Sequence, residues 1–282
     1  MKRIIAYSLM AFAALHVSAQ SLLSFGARGG LDFMLPQSEQ QAQSKLGYIG
    51  AFDIGYTYYW PVNKCDWGIH TGASIGYAKS GAELTCKQQF TNYDYLNTEM
   101  LYTTSGTFNM SISRMFVEVP LMAALRHQGF VLQIGVKAQY AFLGKTKQDI
   151  TNASIDAYYV PYGFHVIDEE VTGVVHQGDL RKEYDGGAPA INLLVAGRIG
   201  YEAKTEHNGR VGILAFVDYN VWNNRSIVNT STPIIAVSPI TDAANPIPTV
   251  TINNAIESVV TRMNPLQVGL ALYYAIEFKP RE

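Results

Sequence analysis

Residues 115–125 read M-F-V-E-V-P-L-M-A-A-L. Taken two at a time, Met115, Val117, Val119, Leu121, Ala123 and Leu125 form one wholly apolar set. Phe116, Glu118, Pro120, Met122 and Ala124 form the other, which holds an acid, and Arg114 and Arg126 extend it at both ends. A period of two means a strand, because successive side chains point to opposite faces. The fold depends on which face is wet.

Seven more stretches alternate in the same way: about 22–35, 48–60, 67–78, 130–143, 190–202, 210–222 and 266–278. The connections between the eight strands alternate long and short. Long polar stretches near 36–46, 79–112, 144–188 and 223–264 read as loops, and P-V-N-K-C-D, H-Q-G and K-T-E-H-N-G as tight turns. Even strand number with short turns at one rim and long loops at the other is the pattern of a bacterial outer-membrane β-barrel. Both termini then fall at the short-turn, periplasmic rim. Residues 233–254 hold P-I-I-A-V-S-P-I and P-T-V-T-I-N-N, a candidate extra hairpin. Its prolines make a ten-stranded barrel the lesser reading.

A water-soluble barrel is apolar inside and polar outside. Three features favour the inverse. The polar face is rich in glycine (26, 30, 55, 68, 72, 76, 135, 200, 212 and 269), which suits a narrow interior. The apolar face is large and uncharged on all eight strands. Aromatics gather at its ends: Tyr58, Trp60, Trp67, Phe130, Tyr201, Tyr274 and Phe278 at one, Phe33, Tyr48, Tyr77, Tyr140, Phe142 and Tyr219 at the other. The fold class expected is all-β, an eight-stranded antiparallel transmembrane barrel with long extracellular loops and short periplasmic turns.

The N-terminus supports export. Lys2 and Arg3 precede an apolar run from Ile4 to Leu15 and a small-residue site at Val17-Ser18-Ala19, which reads as a signal peptide over 1–19, with the barrel over 20–282. The run is too short to span about 30 Å of hydrocarbon. Of the 21 basic residues, 19 then remain against 23 acids, a charge of −4, which excludes a general basic surface for nucleic acid. The expected location is the outer membrane.

The architecture resembles the OmpA and OmpX kind of eight-stranded barrel. More narrowly, Val117-Glu118-Val119-Pro120-Leu121 matches the hydrophobic-Glu-hydrophobic-Pro-Leu strand of the PorT-like outer-membrane proteins of Bacteroidetes, and F-G-A-R-G-G-L-D at 25–32 fits their Gly-rich first strand. The resemblance implies the barrel fold and contributes no catalytic residues.

Inward charges of both signs are expected from Arg28, Asp53, Arg114, Glu118, Lys137, Arg198, Asp218 and Glu277, with Asp32, His70 and Glu202 on the same face. Buried charges must pair, so they read as a plugged lumen, with Glu118 and Lys137 as one pair. An acyl-transfer site needs His, Ser and an acid within hydrogen-bond reach. Only His70 lies on a strand, and Ser74 on its face is roughly 13 Å away between Cα atoms, so no catalytic set forms and no cofactor is expected. Cys65 and Cys86 are separated by a strand and read as unpaired. Pro120 lacks a ladder donor, which predicts a local irregularity. In the long stretches, Tyr93, Tyr95, Tyr102, Tyr158, Tyr159 and Tyr162 are candidate contacts. The reading is a non-enzymatic surface protein acting through its loops, in adhesion, envelope integrity or binding of an envelope or extracellular protein. The alternatives are a small pore or transporter and a lipid-modifying enzyme.

Overall fold

The computed structural model describes residues 20–38, 41–62, 64–93, 97–166, 176–185, 190–206, 208–223, 233–237, 250–253 and 260–278, so residues 1–19, read above as a signal peptide, lie outside the described residues. The strands are β1 (Gln20–Ser38), β2 (Gln41–Val62), β3 (Cys65–Tyr93), β4 (Glu99–His127), β5 (Phe130–Tyr159), β6 (Phe164–Val166), β7 (His176–Asp185), β8 (Ala190–Lys204), β9 (Gly209–Asn223), β10 (Ile235–Val237), β11 (Val250–Ile252) and β12 (Val260–Phe278). Eight of them pair antiparallel in the order β1-β2-β3-β4-β5-β8-β9-β12, and β12 returns to β1, so the sheet closes in a ring. Each stretch read as a strand lies in one of these eight. The β4–β5 connection is a two-residue turn with Gln128 at φ 50° and Gly129 at φ 89°, the left-handed pair that matches strand twist in a tight hairpin.

The ring is inside out by the standard of a water-soluble protein. Its inner face buries Arg28, Glu118, Lys137 and Asp218, none more than 3 % exposed, while Phe52, Leu121, Leu272 and Val119 on the outer face are 73, 59, 59 and 55 % exposed.

The strands do not stop where the alternation stops. β3, β4 and β5 have 29, 29 and 30 residues, against 15 each in β8 and β9. The stretches 79–112 and 144–188, expected as loops, are therefore largely strand. They rise from one side of the ring as a tower, with β6 and β7 added to the edge of β5. The same holds for 36–46, where β1 runs to Ser38 and β2 starts at Gln41. The candidate hairpin in 233–254 is present as β10–β11, which among the described residues pairs only with itself, and the ring has eight strands.

Polarity reverses where the tower begins. On β4 the even-numbered residues face inward throughout. Below they are Arg114 to Arg126; above they include Met100, Tyr102, Phe108 and Met110, all buried, with Thr104 and Gly106 between. The odd-numbered outer face changes in the opposite sense, from Met115, Val117, Val119 and Leu121 below to Ser113, Ser111, Asn109 and Thr107 above. On β3 the outer change falls between Tyr77 and Lys79, and Tyr77 pairs with Met115. Two bulges sit at this level. Between Lys45↔Gly81 and Tyr48↔Lys79, β2 carries one residue more than β3; between Ser113↔Lys145 and Met115↔Phe142, β5 carries one more than β4. A bulge exchanges the two faces of its strand. Hence Lys137, Gln139 and Ala141 point inward below, and Thr146, Gln148 and Ile150 above.

The tower has its own apolar core. Leu84, Cys86, Met100, Tyr102, Phe108, Met110, Ile150 and Ile155 pack in one buried cluster with Ile234 and Ile235 at the start of β10. The Ile234 amide donates to Gln88 Oε1 at 2.8 Å, and Gln148 Nε2 donates to the Asn253 carbonyl at 3.3 Å. Burial pushes the Cys86 thiol up to about 11, whereas Cys65 is half-buried at the turn rim; both are free. A maleimide at pH 8 is expected to label Cys65 first and leave Cys86 protected, since the thiolate is the nucleophile. Ile235→Asp, which opens this core, makes both label at similar rates; peptide mass spectrometry of timed reactions reads the order.

Pro120 interrupts one ladder. On the β5 side it stays in register opposite Lys137; on the β3 side the pairing runs Thr71↔Leu121 and then Ser74↔Glu118, skipping the positions between without a register shift.

Glycine serves closure in two ways. At Gly212 a Cβ would meet the Tyr273 ring at 2.3 Å, a constraint of the filled interior. At the β1–β12 seam, Gly30 faces Gly269, and a Cβ on Gly30 would lie 2.1 Å from the Val268 carbonyl oxygen. There the limit is the approach of neighbouring backbones, not the narrowness of the interior. Gly30→Val is expected to cost about 3 kcal/mol, read as a lower urea midpoint of the folded protein.

Candidate functional site

The inner face stacks its charges in three tiers. Nearest the tower, Arg114 Nη2 donates to both oxygens of Asp32 at 3.2 and 2.9 Å, and its Nη1 donates to Ser80 at 3.2 Å. In the middle, Arg28 donates to Glu118 and, at 3.1 Å, to Asp218. Its Nε lies 3.6 Å from Asp53. Lys137 Nζ reaches Asp218 at 2.5 Å and Glu118 at 3.4 Å, so the expected Glu118–Lys137 pair forms within a larger cluster. Gln139 donates to Glu118 at 3.3 Å and Asn192 to Gln139 at 3.0 Å. The Phe116 and Phe216 rings lie 5.7 and 5.6 Å from the Arg28 guanidinium. Near the turn rim, Arg126 donates to Asp66 at 2.7 Å and to Glu202 at 3.3 Å. Arg210 donates to Glu202 at 2.8 Å and to Glu277 at 3.0 Å. Tyr273 completes Glu202 at 2.7 Å.

All eight proposed network residues point inward. Seven join these tiers. Arg198 does not: it is buried, yet among the described residues it makes no hydrogen bond or ion pair, and its Nε has no partner. It lines a cavity of about 40 Å³ with Ser24, Asp53, Thr57, His70 and Gln133. His70 and Ser74 also meet this space, but the His70 Nδ1 contact is Thr57 Oγ1 at 2.8 Å, not a serine or an acid. Arg126 and Arg210 are structural members that the proposed set lacked. Parity alone finds them, since Arg126 continues the inward set of 115–125 and Arg210 opens the inward set of 210–222.

Comparison with known proteins returns no match, neither a family model nor a curated sequence.

The candidate tyrosines divide. Tyr93 and Tyr162 are 50 and 67 % exposed, at the far end of the tower. Tyr158 and Tyr159 are half-buried there, and Tyr95 lies outside the described residues. Tyr102 is a correction: it is 2 % exposed, an inward residue of β4 stacked on Phe90 at 5.5 Å, and offers no contact surface. The tip is the turn between β5 and β6. Gly163, at φ 70°, donates its amide to the Tyr159 carbonyl at 2.9 Å. The Tyr159, Tyr162 and Phe164 rings meet at 5.6 to 6.1 Å. Asp156 and His165 stand 3.1 Å apart beside them. Exposed aromatics with few rotatable bonds beside polar groups make a contact surface at low entropic cost.

Proposed function

We propose that this chain is an outer-membrane β-barrel protein with a plugged, charge-paired interior, acting non-enzymatically through its tower in adhesion, envelope integrity or partner binding. The observation that carries the reading is the double reversal of polarity along β3, β4 and β5. Water explains a polar outside with an apolar core in the tower; only lipid explains the opposite arrangement in the ring. The apolar outer face of β4 from Met115 to Leu125 is roughly 33 Å along the strand, and tilted by about 40° it covers the ~25 Å band of such barrels. Trp60 beside Trp67 and Phe130 beside Tyr201 mark one margin, and Tyr48 beside Tyr77 the other. The short turns and both described chain ends fall at the first margin, the periplasmic side in this reading. The likeness of Val117–Leu121 to the PorT-like strand belongs to the same proposal.

One experiment tests both halves. A photo-crosslinking amino acid is placed at Val119 or at Tyr162 in the full chain expressed in a Gram-negative envelope. Lipid adducts at 119 and a discrete protein adduct at 162 support the proposal. Absence of lipid adducts at 119 overturns the membrane reading, and a bare tip at 162 overturns the partner reading. Steady conductance of the purified chain in a planar bilayer would replace the plugged interior with a pore.

A further inference from the structure

On the outer face, the first residues above the apolar belt on β3, β4 and β5 are Lys79, Ser113 and Lys145. Lys79 of β3 pairs with Ser113 of β4, and Ser113 pairs with Lys145 of β5. Both lysines are exposed. They lie two strands apart, roughly 10 Å, with the serine between them. Directly below are Tyr77, Met115 and Phe142. Among the described residues neither ammonium meets a carboxylate, whereas Lys45 on β2 is held by Glu83 at 2.8 Å. Asp185 of β7 is next to Lys145 in register. The bulge on β5 is what turns Lys145 outward. Had the inward parity of Lys137, Gln139 and Ala141 continued, Lys145 would point into the interior.

Resting on the membrane reading, we propose that Lys79 and Lys145, flanking Ser113, bind a phosphate group of the lipid headgroups in the leaflet at the tower side of the belt. The position follows from continuity. A lipid whose acyl chains lie on Val117, Val119 and Leu121 carries its headgroup past the Tyr77–Phe142 level to the lysines. The chemistry follows from charge: two long flexible cations match a phosphomonoester, the Ser113 hydroxyl between them donating to the Lys145 carbonyl at 3.4 Å, and each lysine close to an anionic surface contributes to its retention.

The test uses the full chain folded in nanodiscs of phosphorylated lipid A, or of lipid A stripped of its phosphates, with bound lipid counted by native mass spectrometry. Lys79→Gln/Lys145→Gln is expected to retain about 10-fold less phosphorylated lipid than the parent, with no difference on stripped lipid. Lys87→Gln, an exposed lysine higher on β3, should retain the parental amount. Equal retention by the double variant, or retention indifferent to the phosphate, overturns the proposal. Failure of the parent to insert into either disc overturns the membrane reading and this site with it. An inserted protein without phosphate preference overturns the site alone.

Discussion

Glu118→Ala is expected to destabilise the folded protein by about 3–5 kcal/mol, the cost of removing one partner from a buried ion pair. Glu118 is 1 % exposed and holds both Arg28 and Lys137. Its removal leaves Arg28 with Asp218 and Asp53, Lys137 with Asp218 alone, and the Gln139 amide without its acceptor. The cluster is buried, with the Phe116 and Phe216 rings 5.7 and 5.6 Å from the Arg28 guanidinium, so the freed donors are costly to leave unpaired. The decisive comparison is with Glu118→Met/Lys137→Met. Taking out both charges removes the desolvation cost along with the attraction, so the double variant should be more stable than the single one. The measurement is the urea midpoint of each variant folded in micelles. A single variant as stable as the parent would show the middle tier to be hydrated and the charges independent.

Val119→Arg acts on the other face. Val119 is midway along the apolar outer side of β4 and 55 % exposed. In water an arginine there is nearly neutral, since it faces solvent and breaks no contact. At the middle of a bilayer it costs about 2–4 kcal/mol. The expected result is a large drop in folded fraction in phospholipid vesicles, with Ser111→Arg on the same face of the tower showing none. Equal tolerance at both positions would mean that water, not lipid, covers the ring.

The ring was legible in the sequence because one rule governs it. From Val117 to Leu125 and from Phe130 to Phe142, every second residue is apolar, and parity alone assigns Glu118 and Lys137 to the interior. The tower was not legible for two physical reasons. Above Tyr77 and Met115 the outer face turns from apolar to polar, with Thr, Ser and Asn on it, so the strand reads as a polar loop. Between Lys45 and Tyr48 on β2 and between Phe142 and Lys145 on β5 the bulges exchange faces, so alternation breaks its phase where it changes sign. Tyr102 was misread for the same reason: counted from Phe116 by twos it is inward, but its neighbours Thr103 and Thr104 disguise the strand. Arg198 shows the opposite limit. Its direction follows from parity, but its lack of a partner depends on distances between strands that pairing order alone does not contain.

The seam between β1 and β12 joins the two ends of the described chain, with Ser21 opposite Phe278 and Gly30 opposite Gly269. The hairpins β4–β5 and β8–β9 need only a few residues of connection and can form early, but this ladder closes a loop of nearly the whole chain, and closures of that length come late in assembly. Every molecule therefore passes through an open sheet whose first and last strands both present unpaired edges. Where two such molecules meet before closing, each first strand has a second suitor in the other's last, so the yield of closed monomer should fall as the refolding concentration rises.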